Sequence, residues 1–130
     1  MRTALRFLLA ALYFVAGVIH LRAPAGFVQI TPAWVPLPDA VVLVTGMCEI
    51  AGALALAFVL PLRRTAGIAL AAYALCVFPA NINHAINDIA IGGMDMSWWY
   101  HGPRLIAQPL IIWWALWASE VTDWPFGAKL

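Results

Sequence analysis

Apolar runs alternate with short polar or proline-rich connections along the chain, and the runs predict four helices at about 3–21, 39–60, 65–91 and 102–119. Each is close to the roughly 20 residues that a helix needs to cross a hydrocarbon core. The connection 22–38 holds Pro24, Pro32, Pro36 and Pro38, which rule out one regular helix there. Its Phe27, Ile30, Trp34 and Val35 predict a segment lying at a membrane surface or a lid folded inward. The connection 92–101 carries Trp98-Trp99-Tyr100, which reads as an aromatic belt. Asp39 is the expected N-cap of the second helix, and Pro61 closes it. Gly92-Gly93 is the expected stop of the third helix, and Pro103 a first-turn residue of the fourth, with Pro109 kinking it. The expected fold is all-α: a single domain over 1–130, an up-down bundle of four transmembrane helices.

Polar residues interrupt these runs at helical spacing. Glu49 is the only charge between Asp39 and Arg63. At 1.5 Å per residue it lies roughly 15 Å into its helix, the middle of the hydrocarbon, where a carboxylate costs roughly 2.5 to 3.5 kcal/mol and normally faces an interior. Tyr13, Gly17 and His20 form a stripe on the first helix, and Thr45, Glu49 and Gly52 one on the second. Asn81, His84 and Asp88 do so on the third, and His101, Arg104 and Gln108 on the fourth. Lipid cannot satisfy such groups, so all four stripes are expected to face one interior. The expected site is a funnel opening outward, with Glu49 at its floor, Asn81 and Gln108 somewhat shallower, and the histidines and Arg104 near its mouth. Asn83 is expected to join helices.

Composition agrees with a bilayer environment: 65% of residues are hydrophobic and 10% charged, against about 25% charged in an ordinary soluble domain. A net charge of +1 and the absence of a phosphate-binding glycine loop leave no basis for a nucleic-acid partner. The segment 1–25 imitates a secretory signal but is read as a retained first helix. Arg2, Arg6, Arg63, Arg64 and Lys129 fall on one side and Arg22 and Arg104 on the other, which predicts cytoplasmic termini in a multi-pass inner-membrane protein. Cys48 and Cys76 lack the Cys-x-x-Cys pairing of thiol–disulfide enzymes and read as inert packed thiols. No two histidines have a metal-type spacing, so neither metal nor haem is expected. Trp113, Trp114 and Trp117 read as core and lipid-facing packing.

The stretches Phe14-Val15-Ala16-Gly17-Val18-Ile19-His20 with Pro24 and Phe27, then Thr45-Gly46 with Glu49 and Gly52, Pro79-Ala80-Asn81-Ile82, and Arg104-Leu105 with Gln108 resemble the DoxX and DoxX-like membrane proteins, in order along nearly the whole chain. The resemblance implies a bacterial four-helix membrane bundle linked to redox or sulfur metabolism. Some members of that family resemble the small subunit of a thiosulfate:quinone oxidoreductase. The recurrent positions carry over to His20, Glu49, Asn81, Arg104 and Gln108. The chain departs from the commoner pattern at His84, where an apolar residue is frequent, and at Ala107, where proline is usual.

Three functions fit these residues. The first is a redox accessory that binds a quinone or similar hydrophobic ligand: Gln108, Asn81, a histidine and Glu49 supply hydrogen bonds and proton exchange. The chain has no cysteine cluster, dinucleotide fingerprint or haem ligand pair, so electrons would come from a partner protein. The second is a non-catalytic lipid-binding or assembly module. The third is a proton-coupled transporter, which four helices could form only as a homo-oligomer.

Overall fold

The computed structural model describes residues 1–127, so Lys129 lies outside the described residues. Five α-helices are present: α1 (Arg2–Arg22), α2 (Pro24–Ile30), α3 (Pro38–Phe58), α4 (Arg63–Ile86) and α5 (Trp98–Ala118), with a 3₁₀ turn at Leu60–Leu62. Arg2–Arg22, Pro38–Phe58 and Leu60–Ile86 are long and apolar enough to cross a membrane. The protein is an all-helical membrane protein. The fourth long helix, α5, equals α1 in length, but His101, Arg104, Gln108 and two prolines interrupt its apolar run.

The bundle is two tight pairs laid side by side. In the first, α1 and α3 touch at glycines: a Cβ on Gly46 would stand 2.7 Å from His20 Cβ, and one on Gly17 would stand 2.6 Å from the Gly46 carbonyl oxygen. Small residues allow this approach, which is how helices gain packing where lipid removes the hydrophobic drive between them. In the second pair, Gly67 of α4 lies against Ser119 and the Ala115 carbonyl. The pairs meet firmly in the half nearer the chain termini, where Leu9, Leu56, Leu70, Ala115 and Trp117 are at most 2% exposed. Below that core, Arg2 reaches Asp123 at 2.7 Å, and Arg63 and Arg6 approach Glu120 at 3.2 and 3.6 Å. The N-terminus, the α3–α4 turn and the tail therefore share one end. These half-exposed pairs are each worth about 0–1 kcal/mol, but they fix the tail's position. That tail is not simply polar, since Phe126 packs on Trp117 and Trp113 Nε1 donates to the Trp124 carbonyl at 2.9 Å.

Several boundaries differ from the sequence reading. The third helix stops at Ile86, not at Ile91, because the Asn87 amide turns back onto the Asn83 carbonyl and side chain. Gly92-Gly93, both at positive φ, instead form the tight turn that pairs Ile91 with Met94. The fourth helix starts at Trp98, because the extended Ser97 offers its carbonyl to the N–H groups of Tyr100 and His101; Pro103 therefore lies inside it. Asp39 is a first-turn residue, with Pro38 at the helix start after a left-handed Leu37. There its charge favours the helix dipole without capping. Cys48 and Cys76 are free and exposed, not packed.

Candidate functional site

The half of the bundle away from the chain termini is hollow. A cavity of about 430 Å³ separates the two helix pairs, and the connection after α1 roofs it with Phe27, Ile30, Pro32, Trp34 and Val35. Both alternatives for this connection have a counterpart: Ile30 is 6% exposed and turned inward, whereas Trp34 is 74% exposed while still lining the cavity. Asn83 Nδ2 donates to the Ile30 carbonyl at 2.9 Å, tying the roof to α4. Replacing Asn83 by alanine is expected to loosen the roof, seen as faster amide hydrogen exchange across 24–35 with α1 and α3 unchanged. Equal exchange in both proteins would contradict that role.

His20, Glu49, Asn81, Arg104 and Gln108 line the cavity. They form two polar poles. At the first, Glu49 Oε2 lies 3.0 Å from His20 Nδ1 although they come from different depths of their helices. Side chains lean toward the N-terminus of a helix; α1 and α3 are antiparallel, so His20 leans inward and Glu49 outward until they meet. His20, expected nearer the mouth yet a candidate neighbour of Glu49 at the floor, adjoins it. His20 Nδ1 also lies 2.9 Å from the Ala16 carbonyl oxygen. A nitrogen facing two acceptors and no donor carries the proton. That N–H faces both the Ala16 carbonyl oxygen and Glu49 Oε2, and Tyr73 approaches the same carboxylate from α4. Phe27 stacks on the imidazole with centroids 3.7 Å apart, fixing its plane.

At the second pole, hydrogen bonds run in one direction. Arg104 Nη2 donates to Asn81 Oδ1 at 2.5 Å, Asn81 Nδ2 to Gln108 Oε1 at 3.2 Å, and Gln108 Nε2 to the Ala74 carbonyl at 2.7 Å. Arg104 Nη1 is 2.9 Å from His84 Nδ1, and its guanidinium lies 5.0 Å from the Tyr100 ring centroid. Among the described residues no carboxylate pairs with Arg104. A part-buried guanidinium held only by neutral groups keeps its electrostatic demand for a further acceptor.

The structure does not bring His84, His101 and Asp88 into the cavity. His84 is fully buried behind Arg104, where its Nδ1 can only accept, so the proton sits on Nε2. His101 packs beside it with ring centroids 4.7 Å apart. Asp88, expected on the helical stripe, lies past the end of α4 with its side chain 64% exposed and 3.7 Å from His101 Nε2. No three His, Cys, Asp or Glu residues among the described ones come together as a metal site.

Tyr73 is a cavity residue that the stripes missed. It faces Glu49 and Thr45 and meets Tyr13 edge-on at 6.4 Å. The spacing Tyr73, Val77, Asn81 at i, i+4, i+8 carries that signal, and all three line the cavity. Tyr13 donates its hydroxyl to the Leu70 carbonyl at 3.2 Å, which closes the cavity floor.

Every cavity-lining residue falls between Leu9 and Ile111. A family model described as a domain of unknown function, DUF8561, matches residues 9–119. The chain belongs to this family. In DUF8561 terms, the matched segment holds the whole cavity and both of its poles, and it leaves out only the start of α1 and the tail. Comparison with curated proteins and with solved structures returns no match.

Proposed function

We propose that this protein is a four-span membrane protein with cytoplasmic termini in the inner membrane, and that its cavity binds a quinone-class ligand for a membrane redox system. One observation carries this reading: the cavity sets the buried Glu49–His20 pair against a guanidinium that no carboxylate pairs with among the described residues. The complementary molecule is a neutral ring with an oxygen at each end. One oxygen accepts from Arg104; the other takes or gives a proton beside Glu49 and His20. Apolar walls from Leu9, Val42, Val77 and Ile111 suit the ring and the start of an apolar tail.

The DoxX-like resemblance supports the same reading, because the five positions it carries over all line the cavity. The chain supplies binding, orientation and proton exchange, and a partner protein supplies or takes the electrons. In the redox step the quinone gains two electrons from that partner and two protons, and the quinol returns both. His20 and Glu49 are the groups placed to pass those protons on.

Trp34 lines the cavity, so intrinsic fluorescence reports occupancy. Titrating the protein in lipid nanodiscs with a benzoquinone is expected to give saturable quenching. Glu49→Gln, which keeps the shape and removes the proton acceptor, is expected to weaken binding of the quinol about tenfold and that of the quinone less. Quenching that never saturates in the wild type, or identical curves for Glu49→Gln with both redox forms, would remove this function.

A further inference from the structure

A residue can line an internal cavity and also be exposed on the outside of a helix bundle only where the wall has a gap. Val41 of α3 is 38% exposed and Cys76 of α4 is exposed, and both line the cavity. They flank the same seam. Gly52 closes it below, where a Cβ would stand 2.7 Å from Leu70 Cδ2, and the Pro32–Val35 part of the roof bounds it above. Between Val41 and Glu49 the slot is eight residues tall, about 12 Å at the helical rise. Its polar side chains by Glu49 are Thr45, whose hydroxyl donates to the Val42 carbonyl at 2.9 Å, and Tyr73, which faces Thr45 and Glu49. Nothing in the slot demands water. The opposite seam, between α1 and α5, has an exposed lining residue on one side only, Leu12, facing the partly buried Ile111.

We propose that the cavity is filled sideways from the bilayer through the α3–α4 seam, so that its ligand is a chain-bearing amphiphile dissolved in the membrane. This rests on the reading of the cavity as a ligand site. The polar head passes Val41 and Cys76 to reach the two poles, and the apolar chain stays in the slot and trails into lipid. A route through the roof would instead require a long chain to cross the membrane surface and the Asn83–Ile30 tie.

The two native cysteines provide the test, since Cys48 is also exposed on α3 but does not line the cavity. A nitroxide is placed on Cys76 in Cys48→Ser and on Cys48 in Cys76→Ser, both as full chains in nanodiscs. At Cys76, bilayer-dissolved oxygen and a water-soluble nickel chelate are both expected to relax the label, because it stands where the cavity with its polar poles meets lipid. At Cys48, oxygen alone is expected to do so. Next, Val41→Cys in the Cys48→Ser background is joined to Cys76 by a bis-maleimide. The association rate of a long-chain benzoquinone is expected to fall at least tenfold, well beyond any change for a short-chain, water-soluble one. A Cys76 label as shielded from the chelate as the Cys48 label overturns the portal, as does an unchanged long-chain rate after stapling. If neither benzoquinone binds the unmodified protein, the quinone reading fails by itself, and the label accessibilities alone decide the portal.

Discussion

Replacing Arg104 by methionine is expected to lower affinity for a benzoquinone by ten- to a hundred-fold while the protein stays folded. A hydrogen bond to a charged group contributes about 1.5 to 3 kcal/mol, and each 1.4 kcal/mol is about tenfold in binding. Folding survives because the groups that hold Arg104 are neutral: Asn81 keeps its bond to Gln108, and His84 loses an acceptor role without a charge being stranded. Removing a buried guanidinium of this kind relieves desolvation. Arg104→Lys separates charge from geometry. An ammonium cannot hold the His84 and Asn81 acceptors and a ligand oxygen with one planar fork, so lysine is expected to recover only part of the affinity. Equal affinity of the methionine variant and the wild type, measured by fluorescence titration, would contradict the second pole's role.

The second large effect concerns the α1–α3 contact. Gly46→Val puts branched carbon where a single Cβ already stands 2.7 Å from His20 Cβ, and backbone, not a flexible tip, is the next obstacle. Overpacking of this kind costs about 1 to 3 kcal/mol. Separation of α1 from α3 also draws His20 away from Glu49, so ligand binding should fall together with thermal stability. Gly92→Ala is a useful contrast: it strains a positive-φ turn but meets nothing within 4 Å, and it is not a cavity-lining residue. It is expected to leave the binding affinity in place. A Gly46→Val protein with unchanged melting temperature in bicelles would show that the glycine contact is not the spacing element of the pair.

Much of the fold was legible because its signals are local. Apolar runs set the long helices, and helical spacing brought Glu49, Asn81, Arg104 and Gln108 to one interior without any knowledge of neighbours. What spacing could not show is direction along the helix. His20 was placed at the mouth by counting residues, yet opposite side-chain lean in antiparallel helices carries it to Glu49. Competition between local hydrogen bonds was also hidden. Asn87 ends α4 by bonding back to Asn83, which removes Asp88 from the stripe to which its spacing assigned it. Glycine pairs were read as a stop, whereas Gly92-Gly93 make a turn in a segment that had already left the helix. The roof was the hardest part, since a proline-rich segment with aromatic residues suits a membrane surface and an inward lid equally well. The deciding interaction, from Asn83 to the Ile30 carbonyl, spans 53 positions in sequence.

The central claim is that one ligand oxygen sits on Arg104 while the rest of the ring spans the cavity toward Glu49. Dipolar recoupling by solid-state NMR tests this directly, in bilayers containing arginine-¹⁵N-labelled protein and a carbonyl-¹³C benzoquinone. The expected result is a through-space contact between the quinone carbonyl and a single guanidinium, lost in Arg104→Met and kept in Arg22→Met. No guanidinium contact at saturating quinone, or one that survives Arg104→Met, would contradict it.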